Sequence, residues 1–266
     1  MSWTITGTQK NNWTPADITT ALWLDAADAS TITESGGAVS QWNDKSGNNR
    51  NFTQSTPSSR PAYTSAALNG LNTVTPDGSD DWMTGPVIFS GNQPTDYFII
   101  AAYKLLNIID DGANNTTNLL MAQTGSVILN ANFYANIAQG TPRKIVHDAF
   151  PPTGGSLTGS ATITANTNYL MSFSRNGGTR EIWLNGALDA TQSGAETYTG
   201  TTVNQTNLFK LLGQVNALNA NVGEIIAIAY PSIDIRQKLE GYLAHKWGLA
   251  ANLPADHPYK TAVPVP

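Results

Sequence analysis

The sequence predicts an all-β fold, an antiparallel jelly-roll β-sandwich with one α-helix in its C-terminal region packed on the flank. Three observations predict it. Roughly a dozen short strand patterns recur, with turn residues about every 8–12 positions. The stretch from Asn168 to Gln192 reads as three strands joined by two tight turns. A single segment near the end carries apolar residues at helical spacing.

Taken in order, residues 1–13 read as an arm whose apolar anchors are Trp3, Ile5 and Trp13 among polar neighbours. Leu22 to Leu24 form a short strand, followed by turn chemistry at Asp25 and Asp28. The run from Trp42 to Asn48 is a loop, because Asn, Asp, Ser and Gly favour turns. Asp77-Gly78 and Asp80-Asp81-Trp82 make a second turn-rich stretch that leads to a strand at Val87 to Phe89. Further strands are expected at Tyr97–Tyr103, Val127–Tyr134, Lys144–Phe150, Ala161–Ala165, Leu208–Leu212 and Val222–Ala229. Val127, Leu129, Ala131 and Phe133 share one face by period 2, as in a half-buried antiparallel strand. The segments around Ile99 and Ile226 are apolar on both faces, which suits central strands covered by a second layer.

In the three-strand stretch, Tyr169, Met171 and Phe173 alternate with Leu170, Ser172 and Ser174. Asn176 to Gly178 and Asn185-Gly186 supply residues that tolerate positive φ, as tight hairpin turns require. In the helix, Ile235, Leu239, Tyr242, Leu243 and Trp247 form the apolar stripe, with Asp234 as N-cap and Gly248 as the residue that ends it. The tail after it has four prolines and reads as extended. These signals divide the chain into an arm (1–13), one sandwich domain (14–260) and an extended tail (261–266).

Composition excludes several classes. The 266 residues carry only 14 Lys and Arg and a net charge of -5, without the basic footprint that nucleic-acid binding needs. No apolar run approaches the ~20 residues of a membrane span. The chain has no Cys, which removes disulfides and thiolate metal sites. The N-terminus lacks signal-peptide features, so synthesis in a bacterial cytoplasm is expected. Charged residues are 12%, about half the usual ~25%. The surface is therefore polar but weakly charged, which suits neutral polyhydroxylated partners or packing against other protein.

Three blocks carry a family resemblance: Ala21 to Asn48 (ALWLDAADAST, then W-x-D-x-SGN), Asn69 to Met83, and Gly223 to Tyr259 with its RQKLEGYLAHKWGL core. With the central hairpin, they resemble laminin-G-like domains of the concanavalin A-like lectin/glucanase superfamily, of the type found in bacteriophage virion proteins. The resemblance implies the sandwich and a location on the virion surface. Non-enzymatic capsid decoration is the first expectation. A glycan- or receptor-binding module of a tail or adhesin is the alternative. The partners expected are other virion proteins, further copies of the chain in a homo-oligomer, and a host surface glycan.

Glycan hydrolysis by this superfamily's route needs paired carboxylates. The chain has five Glu, and none has Asp or Glu two residues later. His147, His245 and His257 lie near no nucleophile elbow. No catalytic residue is therefore assigned. For ligand binding, Trp42 and Trp82 abut polar loops, and Asp44, Asn48, Asp80 and Asp81 offer oxygen and amide groups. The same acids, with Asp25 and Asp28, bring calcium into consideration, although Asx-turns account for Asp44 and Asn48 equally well. Trp3, Ile5 and Trp13 are the expected partner-docking residues.

Overall fold

The structure, a computed structural model, describes residues 12–89, 96–108, 119–124, 131–137, 142–148, 156–194, 203–210 and 217–266. The strands among these residues are β1 (Leu22–Asp25), β2 (Ile32–Ser35), β3 (Ala38–Trp42), β4 (Phe52–Thr53), β5 (Ala62–Leu68), β6 (Leu71–Thr75), β7 (Met83–Gly85), β8 (Asp96–Asn107) and β9 (Leu119–Thr124). They continue with β10 (Ala131–Ile137), β11 (Ile145–Asp148), β12 (Leu157–Thr158), β13 (Thr167–Asn176), β14 (Thr179–Leu184), β15 (Ala187–Gln192), β16 (Gln205–Phe209) and β17 (Asn219–Ile228). The helix α1 spans Ile233–Lys246.

All pairings are antiparallel, and they trace two layers. One runs β1, β17, β8, β13, β14, β15. The other runs β2, β3, β4, β7, β16, β9, β10, β11, β12. The β5–β6 hairpin links them, since Ala38 of β3 pairs with Ala62 and Val222 of β17 pairs with Val74. The expected all-β sandwich is the fold observed, with a single α-helix among the described residues.

Period 2 sorts β8 between two cores. Ile99, Ala101, Tyr103 and Leu105 enter the sandwich interior with Trp42, Phe52, Met83, Met121 and Leu208. Phe98, Ile100 and Ala102 face the other way and meet Leu239, Leu243 and Trp247 of the helix region. The helix thus covers the outer face of the first sheet, which is why β8 and β17 are apolar on both sides.

Ser232, not Asp234, caps α1: its side chain accepts from Ile235 N at 3.3 Å. Asp234 falls in the first turn, where a negative charge suits the helix dipole. Gly248 ends the helix at φ +73, with Leu249 N donating to Ala244 O at 2.6 Å, the bond of a Schellman closure. The predicted hairpin turn is also in place, with Asn185 at φ +52 and Gly186 at +80.

Two expected strands do not form. Val87 to Phe89 is bent rather than extended, because Pro86 offers no N–H and the ladder stops at Gly85. Ala161 to Ala165 forms no ladder: Ala161 N donates to Asp189 Oδ1 (2.8 Å) and Thr164 N to Tyr169 OH (2.9 Å), while Ile163 N makes an isolated backbone bond to Arg143 O (2.9 Å). Val127 to Asn130, Ala149, Phe150, Leu211 and Leu212 lie outside the described residues. Conversely, β2 to β5 form where the sequence reading named no strand.

The expected arm boundary also shifts. Trp13 is buried, stacks edge-on against Tyr242 at 6.5 Å between ring centroids, and donates its backbone N–H to Pro264 O at 3.0 Å. Both Trp13 and the tail residue Pro264 therefore belong to the folded domain, whereas Trp3 and Ile5 lie outside the described residues. Among the described residues, no helix is long and apolar enough to cross a membrane.

Candidate functional site

Register builds the site. In β3, β4 and β7, Trp42, Phe52 and Met83 turn into the core, so their strand neighbours Gln41, Thr53 and Thr84 face outward. Thr33 stands opposite Gln41, Gln41 opposite Thr53, and Thr53 opposite Thr84. Four polar side chains from four strands therefore line up in one row. They floor a depression of about 330 Å³ whose walls include Ser40, Gln54, Ser55, Thr56, Arg60 and Trp82.

The walls are held by hydrogen bonds to backbone groups. Gln54 is buried; its Nε2 donates to Trp82 O at 2.9 Å and its Oε1 accepts from Thr56 N at 2.9 Å. Arg60 Nε donates to Gln54 O at 2.9 Å and Nη2 to Ser55 O at 3.2 Å. Trp82 N donates to Ser59 O at 3.2 Å, in the short 3-10 turn Pro57–Ser59. By contrast, the Trp82 indole N–H and the hydroxyls of Thr53, Ser55 and Thr56 have no protein partner among the described residues. Those groups remain available to a ligand.

Of the residues singled out from sequence, only Trp82 lines this groove. Trp42 is a correction: its side chain is fully buried, because the strand it ends turns it into the sandwich interior. Asp44 is also a correction, since its carboxylate is consumed by its own loop. It accepts from Trp23 N (3.0 Å), Ser46 N (2.9 Å), Ser46 Oγ (2.6 Å) and Arg50 N (3.1 Å). Asn48 likewise clips the loop to the chain before β1, donating to Thr20 O at 2.9 Å. Asp25 and Asp28 are taken by Lys45 at 2.9 and 2.8 Å, and the hydrogen bond from Lys45 holds Asp28 down at about 2.

Asp80 and Asp81 join Asp77 instead. One carboxylate oxygen from each lies within 4.8 Å of the others. Asp77 and Asp80 are exposed and Asp81 is buried. Burial, followed by the charge of Asp77, pushes the Asp81 carboxyl up to about 6. Three hard oxygen donors are the kind calcium takes, and six to eight are roughly what it needs in all. Ser59 Oγ donates to Asp80 Oδ2 at 3.2 Å, so the group stands behind the groove wall.

The remaining titratable clusters are structural. His147 is buried against Tyr97 OH at 2.7 Å, and burial pulls it down to about 3, so it is neutral. His257 contacts Glu240 at 3.1 Å within the helix–tail packing. Gln41, Gln54 and Arg60 were not among the residues the sequence singled out, because no strand was read at β3 or β4. The available signal was the alternation of Phe52 with Thr53 and of Met83 with Thr84.

None of the protein-family models matches this sequence, and none of the curated proteins does. Solved structures resemble it in fold. The receptor binding domain of botulinum neurotoxin D aligns at TM-score 0.57 and 10% identity, over 86% of this chain and 53% of that one. Domain 4 of AbnA, an extracellular arabinanase from Geobacillus stearothermophilus solved in complex with arabinotriose, aligns at 0.54 and 10%, over 80% and 94%. Trypanosoma rangeli sialidase aligns at 0.54 and 12%, over 85% and 32%. The chain thus spans about a third of the sialidase chains it resembles. At these identities the likeness is one of fold, the β-sandwich.

Proposed function

We propose that this protein is a non-catalytic glycan-binding β-sandwich module, with the groove over Thr33, Gln41, Thr53 and Thr84 as its sugar site. The row of in-register polar side chains beside a half-buried Trp carries the reading. Sugar hydroxyls need paired donors and acceptors, and an indole offers an apolar face and an N–H at its edge. The arabinanase domain, solved with arabinotriose, supports the same use of this fold. Binding rather than hydrolysis is favoured because the groove lining contains no Asp or Glu, and glycosidases act through a carboxylate pair.

The resemblance to virion domains supplies the setting: a particle-surface module that attaches to host glycan. Capsid decoration is the other setting it implies. Its docking residues were Trp3, Ile5 and Trp13, and the burial of Trp13 within the fold removes one of them, leaving that reading on the resemblance alone.

The test is binding to immobilised host surface polysaccharides and plant oligosaccharides, comparing the intact chain with Trp82→Ala. Retention that drops at least about tenfold in the variant, ~1.4 kcal/mol, is expected. Equal retention by a folded Trp82→Ala protein, or no glycan retained by the intact chain, would sink the proposal. Presence of the protein in purified particles tests the setting separately.

A further inference from the structure

We infer that the groove selects acidic glycans, with Arg60 pairing with the carboxylate of a uronic-type sugar; this rests on the glycan-binding reading of the same groove. Arg60 does not sweep through solvent. Its Nε donates to Gln54 O at 2.9 Å and its Nη2 to Ser55 O at 3.2 Å, which fixes the guanidinium plane against the wall. Those two bonds use two of its five N–H donors. Nη1 keeps both of its donors and Nη2 keeps one. The free donors therefore include one on each terminal nitrogen, the parallel pair that holds a carboxylate through two bonds.

The surroundings leave that fork open. Arg60 makes no ion pair among the described residues, and no acid lines the groove. Among the described residues, Asp80 approaches the wall through Ser59 Oγ, and it is exposed and weakened by solvent and salt. In a chain of net charge -5, an anchored cation with no acid partner, set among hydroxyls, adds little for a neutral sugar. It adds discrimination for an anionic one, because a carboxylate placed there gains two charge-assisted bonds that its uncharged counterpart lacks.

The experiment uses the full chain and oligomers of galacturonate, glucuronate and alginate, each beside its carboxyl-reduced form, with neutral oligosaccharides as a further arm. The expected result is at least tenfold tighter binding of one or more acidic oligomers than of the reduced form, about 1.4 kcal/mol. Arg60→Gln should erase that preference, so that each acidic oligomer and its reduced form bind alike. Arg60→Lys, which keeps the charge but loses the fork, should restore only part of it. Equal binding of every acid and its reduced form, or a preference that survives in Arg60→Gln, overturns the assignment of Arg60. Neutral binding without acid preference leaves the sugar site standing and removes only the present inference, whereas no binding in any arm removes both. Because Arg60 also braces the wall, thermal melts of both variants accompany the titrations. Should Arg60→Gln fail to fold, the Arg60→Lys comparison decides.

Discussion

Lys246 Nζ lies 2.7 Å from a carboxylate oxygen of Glu224, and Glu224 has no exposed surface at all. This pair ties the last turn of the helix to the central strand β17. The Glu224 carboxylate also accepts from Trp23 Nε1 (2.6 Å), Trp247 Nε1 (2.9 Å) and Tyr242 OH (3.1 Å). Lys246 reaches on to Asp25 at 2.7 Å, and Lys45 holds the other side of that carboxylate. Removing one partner of such a pair should be costly. Glu224→Ala is expected to lose about 3–5 kcal/mol in urea unfolding. Replacing both partners, in Glu224→Gln with Lys246→Met, should cost less than the sum of the single changes. Additive losses would show that the two groups are not coupled.

Gly223 lies beside this hub, where β17 slips register against β8, and a Cβ there would come within 2.7 Å of the Trp247 ring. Gly223→Ala should therefore destabilise by about 1–3 kcal/mol through overpacking and shift tryptophan fluorescence. An unchanged melt and spectrum would mean that the indole does not rest on this strand.

Leu239 and Leu243 carry the helix onto the outer face of the sheet and are fully buried. Truncating either to Ala should cost about 2–5 kcal/mol. Melting temperatures that do not move would place the helix at the periphery.

Asp81 sets a pH dependence. Burial, and then the charge of Asp77, pushes its carboxyl up to about 6 in the fold from an ordinary 3.8. Between those values the folded state keeps a proton that the unfolded chain releases, so stability falls as pH rises through that window. Asp81→Asn should consequently melt higher than the parent at pH 7.5, with the gain gone by pH 4. The opposite trend would refute the raised carboxyl.

Hydrolysis is not expected. Incubation with laminarin, agar-type and host polysaccharides should release no reducing ends. Reducing ends released above background by the folded protein would overturn the non-catalytic reading.

Local periodicity and turn chemistry determined much of this protein. Alternation from Tyr169 to Ser174, the Asn185-Gly186 turn, the two-faced strands around Ile99 and Ile226, and the Gly248 stop are properties of chain neighbours. Each is observed where the sequence places it. Pro86 shows the limit even locally, since one missing N–H ends the ladder at Gly85. What only the tertiary structure decided is which aromatic residues are buried and which line the groove. Trp42 and Trp82 both adjoin polar loops, yet one is buried under the sheet and the other lines the groove. Trp13 docks because Tyr242 and Pro264 arrive beside it from the far end of the chain. The groove floor joins residues 33, 41, 53 and 84 through cross-strand register, a relation among distant segments that neighbouring residues along the chain do not encode.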